Sequence, residues 1–185
     1  MNTPLILIII DKSGSMSSVS ASMNTAMYQL VKDQASERGN ADLSLFTFDS
    51  YTYHDIKPTN FKQVNYVPIK CNDSTRLYDT IIEAINSVKG YTDVLVMIQT
   101  DGQDNKSTTK AEVVKNTIQH KLSQGWQFLY MGAFDDITAE ASKIGLQNYA
   151  VQFKRDTKGI EQVFTEMSKR ASNFRANLDR IILKP

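Results

Sequence analysis

The chain alternates between short, uniformly apolar runs and longer stretches in which apolar residues recur every three or four positions. The first run, Leu5-Ile6-Leu7-Ile8-Ile9-Ile10, is too short for a membrane helix and rich in β-branched residues, which predicts a short strand buried on both faces. Ser17 or Ser18 then caps a helix to about Arg38, with Val19, Met23, Met27, Leu30 and Val31 on one face and Gly39-Asn40 as its stop. Leu43, Leu45, Phe46 and Phe48 mark a second strand, and Asp49-Ser50 turns the chain into a third, Tyr51 to Ile56. That third strand alternates and is more polar, as suits a sheet edge.

From Lys57 to Ser74 no long period appears. Pro58 and Pro68 punctuate the stretch, and Phe61, Val64, Tyr66, Val67 and Ile69 are its expected anchors. Arg76 to Val88 reads as a helix with Leu77, Ile81, Ile82, Ile85 and Val88 inward, and Gly90 closes it. Val94 to Ile98 is a second buried strand, ending in Thr100-Asp101-Gly102. A helix from Thr108 to Ser123, a strand from Trp126 to Met131, and a short helix from Asp135 or Asp136 to Ile144 come next. Tyr149-Ala150-Val151 is a last short strand. The final helix runs from Thr157 or Lys158 to about Leu178, with Ile160, Val163, Phe164, Met167, Ala171 and Phe174 as its stripe, and the tail Ile181 to Pro185 is expected to pack back on the body.

Strands alternating with helices, two of the strands uniformly aliphatic, predict an α/β fold. The sheet is six-stranded and mainly parallel, covered on both faces, with one antiparallel edge strand from the hairpin at residues 43–56. No repeat, low-complexity tract or linker interrupts it, so residues 1–185 read as a single domain.

Composition narrows the function classes. Lys plus Arg number 21 against 20 Asp plus Glu, a net charge of +1, which gives no reason to expect nucleic acid as a partner. The single Cys71 excludes an intrachain disulfide and a cysteine-rich zinc site. The apolar run at the N-terminus has no basic residues before it and stops at Asp11 after six residues, unlike a signal peptide or a membrane span. A cytoplasmic protein without a membrane segment is the expectation.

The chemistry gathers at strand ends. Asp11 closes the first strand, Ser13 and Ser15 follow around Gly14, and Asp101 closes the strand beginning at Val94. In a doubly wound sheet these two strands are neighbours at the switch point, where their carboxyl ends flank a crevice. Two aspartates facing each other there repel unless a cation neutralises them. Hydroxyls add hard oxygen ligands without adding charge, as a small divalent cation prefers.

These residues carry a family resemblance. Asp11-Lys12-Ser13-Gly14-Ser15-Met16 is similar to the D-x-S-x-S signature of von Willebrand factor type A domains, which opens the metal-ion-dependent adhesion site. Thr100-Asp101-Gly102 resembles that family's T-D-G segment, and Ser74-Thr75-Arg76-Leu77-Tyr78-Asp79 resembles the segment carrying its metal-site threonine. The three come in the family's order, each in its expected place among the elements. The resemblance implies a three-layer, doubly wound, Rossmann-like fold. It also implies a metal site of Asp11, Ser13, Ser15, Thr75 and Asp101, holding Mg²⁺ or Mn²⁺ in preference to Ca²⁺. The remaining position is open to a Glu or Asp carboxylate of a protein partner, with no covalent chemistry. A free-standing version of such a domain looks bacterial or viral. The chain departs from the family at Cys71-Asn72-Asp73-Ser74, where many relatives have glycines, so Ser74 is an alternative ligand and Asp73 an additional charge; Leu77-Tyr78-Asp79 favours Thr75.

Other assignments compete. Asp11 and Ser13 as mere helix caps explain neither Asp101 nor Thr75. Asp104 and Asn105 read as loop and cap residues, and Asp135 and Asp136 as caps of the short helix. Cys71 reads as an inert thiol, and His54 and His120 as surface residues. A Mg²⁺-dependent phosphatase or phosphotransferase of the haloacid dehalogenase kind needs a second aspartate where this chain has Ser13. No G-x-S-x-G, phosphate loop or G-x-G-x-x-G occurs. A structural assembly subunit with a structural metal is the other alternative. Partner identity and oligomeric state are not encoded in any motif here.

Overall fold

The computed structural model describes residues 3–72 and 74–182, with side chains through Leu178. Its centre is a six-stranded sheet in the order β3-β2-β1-β4-β5-β6. The strands are β1 (Leu5–Asp11), β2 (Asp42–Phe48), β3 (Thr52–Asn60), β4 (Val94–Thr100), β5 (Gln127–Gly132) and β6 (Ala150–Gln152). All neighbours run parallel except β3, which returns antiparallel on β2 at one edge. The expected architecture therefore holds, including β1 beside β4 at the switch point.

Alternation along β1 divides the core into two faces. Ile6, Ile8 and Ile10 pack under α1 (Ser20–Ser36) and α5 (Thr157–Ile182). Leu5, Leu7 and Ile9 pack under α2 (Leu77–Ser87), α3 (Ala111–Ser123) and α4 (Ile137–Lys143). All six aliphatic side chains are wholly buried, each contributing about 1.5–3 kcal/mol relative to exposure. A strand anchored so firmly on both faces gives Asp11, its last residue, a fixed address. The predicted stripes of α1 and α5 are buried throughout.

Local differences have local causes. The first helix begins as a 3-10 turn, Gly14–Val19, and becomes α-helical only from Ser20. Strand β3 continues past Pro58 to Asn60, because an edge strand tolerates a residue without an N–H. Val67 is 71% exposed and anchors nothing, whereas Phe61 and Ile69 are buried as expected. Asn24 of α1 clamps this irregular segment: its Nδ2 donates to the Ile69 carbonyl at 2.8 Å, and its Oδ1 accepts from the Ile69 N–H at 2.7 Å and the Tyr66 hydroxyl at 2.6 Å. His54 is only partly exposed, its ring stacked on Phe46 at 4.0 Å and its Nε2 bonded to the Ser44 hydroxyl, so it is not a free surface residue. Helix α5 runs on through Ile182. The tail's expected packing and the charge of Asp73 lie outside the described residues.

Candidate metal centre

Three loops meet at the carboxyl ends of β1 and β4. After Asp11 the chain folds back on itself: the Ser13 N–H donates to Asp11 Oδ1 at 2.8 Å, a turn typical of aspartate. Met16, wholly buried, pins the far side of the turn to the core. Ser13 occupies the capping position of the 3-10 turn without making a side-chain capping bond, so helix capping does not account for it. Its hydroxyl faces that of Ser15 instead, at 3.1 Å. The Ser15 hydroxyl donates to Asp101 Oδ1 at 2.7 Å, joining the end of β1 to the end of β4. A second link runs behind it, where the Thr100 hydroxyl donates to Asp11 Oδ2 at 2.6 Å.

Thr75 arrives from the third loop. It is 4% exposed, and its hydroxyl lies against Gly102: a Cβ built there would stand 3.1 Å from Thr75 Oγ1. Glycine after Asp101 thus spares the Thr75 hydroxyl a tight contact where the two loops meet. Asn105 locks the approach from both sides, its Oδ1 accepting from the Thr75 N–H and its own N–H donating to the Thr75 carbonyl, each at 3.1 Å. Asp104 accepts from the Tyr78 N–H at 3.1 Å and Asp136 from the Ala139 N–H at 2.9 Å, so both serve as helix-start partners, as expected. Ser74 is less buried than Thr75, and its N–H donates to the Ser50 hydroxyl at 3.4 Å.

The electrostatics of the centre turn on Asp11. Asp11 is 0% exposed. Burial pushes its carboxyl up to about 6, against the hydrogen bonds from Ser13 and Thr100, and the nearby Asp101 adds to the rise. Lys12 does not relieve it, because its ammonium is engaged with Asp49 at 3.2 Å and sits 3.5 Å over the Tyr53 ring. Cys71 is held protonated by burial and by Asp11, consistent with an inert thiol. Among the described residues no group of three or more His, Cys, Asp or Glu side chains is placed to hold a metal, so hydroxyls are indispensable to any cation site here. Two carboxylates and three hydroxyls are hard oxygen donors suited to a small divalent cation.

Three features escaped the sequence. Arg155 forms an ion pair with Asp101 Oδ2 at 2.9 Å. It follows β6, whose carboxyl end lies on the same edge of the sheet, and that position was the available signal. Asp79, in the first turn of α2, receives the Thr109 and Thr108 N–H groups at 2.9 and 3.1 Å and Arg76 Nε at 2.8 Å. Gln99, wholly buried, bonds Met16 Sδ through Nε2 at 3.8 Å, while its Oε1 meets no partner among the described residues.

The chain has the von Willebrand factor type A fold. Solved structures of that class superpose on nearly all of it. They include proximal thread matrix protein 1 from the mussel byssus with a zinc-occupied metal-ion-dependent adhesion motif (TM-score 0.65, 14% identity, 92% of this chain and 48% of that one). The ArnB paralog VWA2 from Sulfolobus acidocaldarius superposes at TM-score 0.64, with 17% identity over 91% of this chain and 45% of that one. A von Willebrand factor type A protein from Catenulispora acidiphila gives a TM-score of 0.60, with 14% identity over 92% of this chain and 43% of that one. The chain thus spans about half the length of these proteins. No family model and no curated protein matches it in sequence. Among the described residues no helix is long and apolar enough to cross a membrane.

Proposed function

We propose that this chain is a divalent-metal-dependent protein-binding module, and that Asp11, Ser13, Ser15, Thr75 and Asp101 hold the cation. The observation that carries this reading is the run of oxygens from Ser13 through Ser15 to Asp101, which joins two strand ends around a buried, poorly compensated Asp11. The zinc in the byssus protein's own adhesion motif supports a divalent cation. Hydroxyl-rich coordination with two acids favours Mg²⁺ or Mn²⁺ over Ca²⁺. When bound, the cation supplies a Lewis-acid position for one external anionic oxygen. The protein's part is to hold the donors, shield them from bulk water and keep the loops closed through Gly102 and Asn105. The fitting occupant is a Glu or Asp side chain of a protein partner.

Among the described residues no histidine or lysine bonds the hydroxyls of the centre: that of Ser15 donates to Asp101, and neither histidine lies in these loops. The reading is one of recognition without covalent chemistry, by a cytoplasmic module in which residues 1–185 form one domain. The test is capture of partners from the native host by the immobilised chain, with Mg²⁺ or with EDTA, alongside calorimetry of Mg²⁺ binding. Expected are micromolar-to-millimolar Mg²⁺ binding and a partner retained only with metal. Both are lost in Asp11→Ala and Asp101→Ala with the circular dichroism spectrum unchanged. Unaltered Mg²⁺ affinity in either variant would end the assignment.

A further inference from the structure

A centre that only binds a cation has no use for Arg155. A guanidinium paired with one of the two proposed metal-binding carboxylates competes with the metal, yet the chain places one on Asp101. Arg155 stands in the loop between β6 and α5, and the loop's backbone is tied on both sides of it. The Phe153 N–H donates to the Gly132 carbonyl at 3.1 Å and the Asp156 N–H to the Lys154 carbonyl at 2.8 Å. Asp156 then accepts from the Gly159 N–H through its side chain at 2.7 Å and from the Ile160 N–H through its carbonyl at 3.0 Å. A Cβ on Gly159 would overlap the Lys154 carbonyl oxygen, so the loop is pressed flat against the first turn of α5. From this perch Nη1 meets Asp101 Oδ2 at 2.9 Å. The Asp101 side chain is 0% exposed and that of Arg155 is 48% exposed, so the guanidinium lies on the solvent side of the carboxylate. Asp101 is its single polar partner among the described residues, and Nε and Nη2 have none there.

Formal charge gives this arrangement a purpose. Asp11 and Asp101 together neutralise a divalent cation, so the metal's Lewis acidity is all that draws an external carboxylate to the loaded centre. Adding Arg155 leaves the loaded centre with one net positive charge and with planar N–H donors at its open edge, the geometry that suits a carboxylate. Resting on the metal-binding reading above, we infer that Arg155 is a specificity-determining residue of the recognition site. It selects a carboxylate-bearing partner over one offering an amide or hydroxyl oxygen, and it weakens resting metal affinity by occupying Asp101.

The test uses the full chain, Mn²⁺ as the metal, and acetate and acetamide as isosteric charged and neutral probes. Mn²⁺ binding is measured by calorimetry, and probe binding to the Mn²⁺-saturated protein by paramagnetic relaxation of the probe's methyl protons. Wild type is expected to prefer acetate over acetamide by at least tenfold. Arg155→Met is expected to lose about tenfold in acetate affinity with acetamide unmoved, while its Mn²⁺ affinity rises several-fold. Arg155→Lys, keeping the charge and losing the fork, falls between. Equal acetate binding by wild type and Arg155→Met overturns the inference even if Mn²⁺ binding tightens, because Arg155 is then only a counter-ion of the metal-free protein. Lack of acetate preference in wild type overturns it as well. Failure of wild type to bind Mn²⁺ is a different result: it removes the metal-binding reading, and this inference with it.

Discussion

Asp79, in the first turn of α2, and Asp11, at the end of β1, are both withdrawn from solvent, at 5% and 0% exposure. Burial raises the carboxyl of each, but their surroundings answer differently. Around Asp79 the Thr109 side chain, the Arg76 guanidinium and the Thr108 and Thr109 N–H groups outweigh burial and hold the carboxyl well below the usual carboxylate range. Around Asp11, hydrogen bonds from Ser13 and Thr100 do not outweigh burial, and Asp101 adds a second negative charge. One aspartate is saturated by donors from its own protein and works as a clamp between α2 and the loop before α3. The other meets no cationic side chain among the described residues, as suits a ligand. An acid's burial therefore says little about its role until its donors are counted.

The comparison can be broken at either end. The largest effect belongs to the clamp. Asp79→Ala removes several charge-assisted hydrogen bonds, worth about 1.5–3 kcal/mol each before relaxation. A net loss of about 3 kcal/mol is expected, a fall in Tm of about 6–12 °C for a chain of this size, with the Mg²⁺ increment in Tm preserved. The sign with pH follows from the depressed carboxyl: the clamp's contribution is full above the ordinary value of 3.8 and is lost as pH falls towards the folded-state value. Urea titrations from pH 7 down to pH 3 should therefore show the gap between wild type and Asp79→Asn narrowing below about pH 4. A constant gap would mean that packing, and not the carboxylate's hydrogen bonds, is what Asp79 supplies.

At the other end, Asp11→Asn is expected to leave the metal-free protein as stable as wild type at pH 7, because it removes a buried charge that no partner neutralises. What it loses is the response to metal. Mg²⁺ at about a hundred times its Kd stabilises wild type by about 2.7 kcal/mol, a rise of about 5–10 °C read by scanning calorimetry, and Asp11→Asn shows none of it. Marked destabilisation of metal-free Asp11→Asn would place Asp11 with Asp79, as a structural acid. A smaller effect separates neighbours in the third loop: Thr75→Ala should weaken Mg²⁺ binding about tenfold, close to 1.4 kcal/mol, and Ser74→Ala should not change it. The reverse result in calorimetry would transfer the ligand role to Ser74.

Much of this was legible along the chain because the physics was local. Six aliphatic residues in a row, glycines at helix ends and stripes of period three to four are each read within a few residues of where they act. They located six strands, five helices and the order of the layers. Errors clustered where local preference was weak: a 3-10 entry into α1, an edge strand running through Pro58, an exposed Val67 and a half-buried His54.

The sequence by itself determined which oxygens stand at which strand ends, since Asp11, Ser13 and Ser15 are bound to a strand whose burial leaves no freedom of register. Only the tertiary structure decided how those ends are wired. The Ser15–Asp101 bond spans 86 positions, the Arg155–Asp101 pair 54, and the threonine clamp on Asp79 about 30. Such contacts depend on distant segments of the chain converging, and no window on the chain contains both partners. The same separation hid the clamp at Asp79, because its donors are brought to it only by the fold.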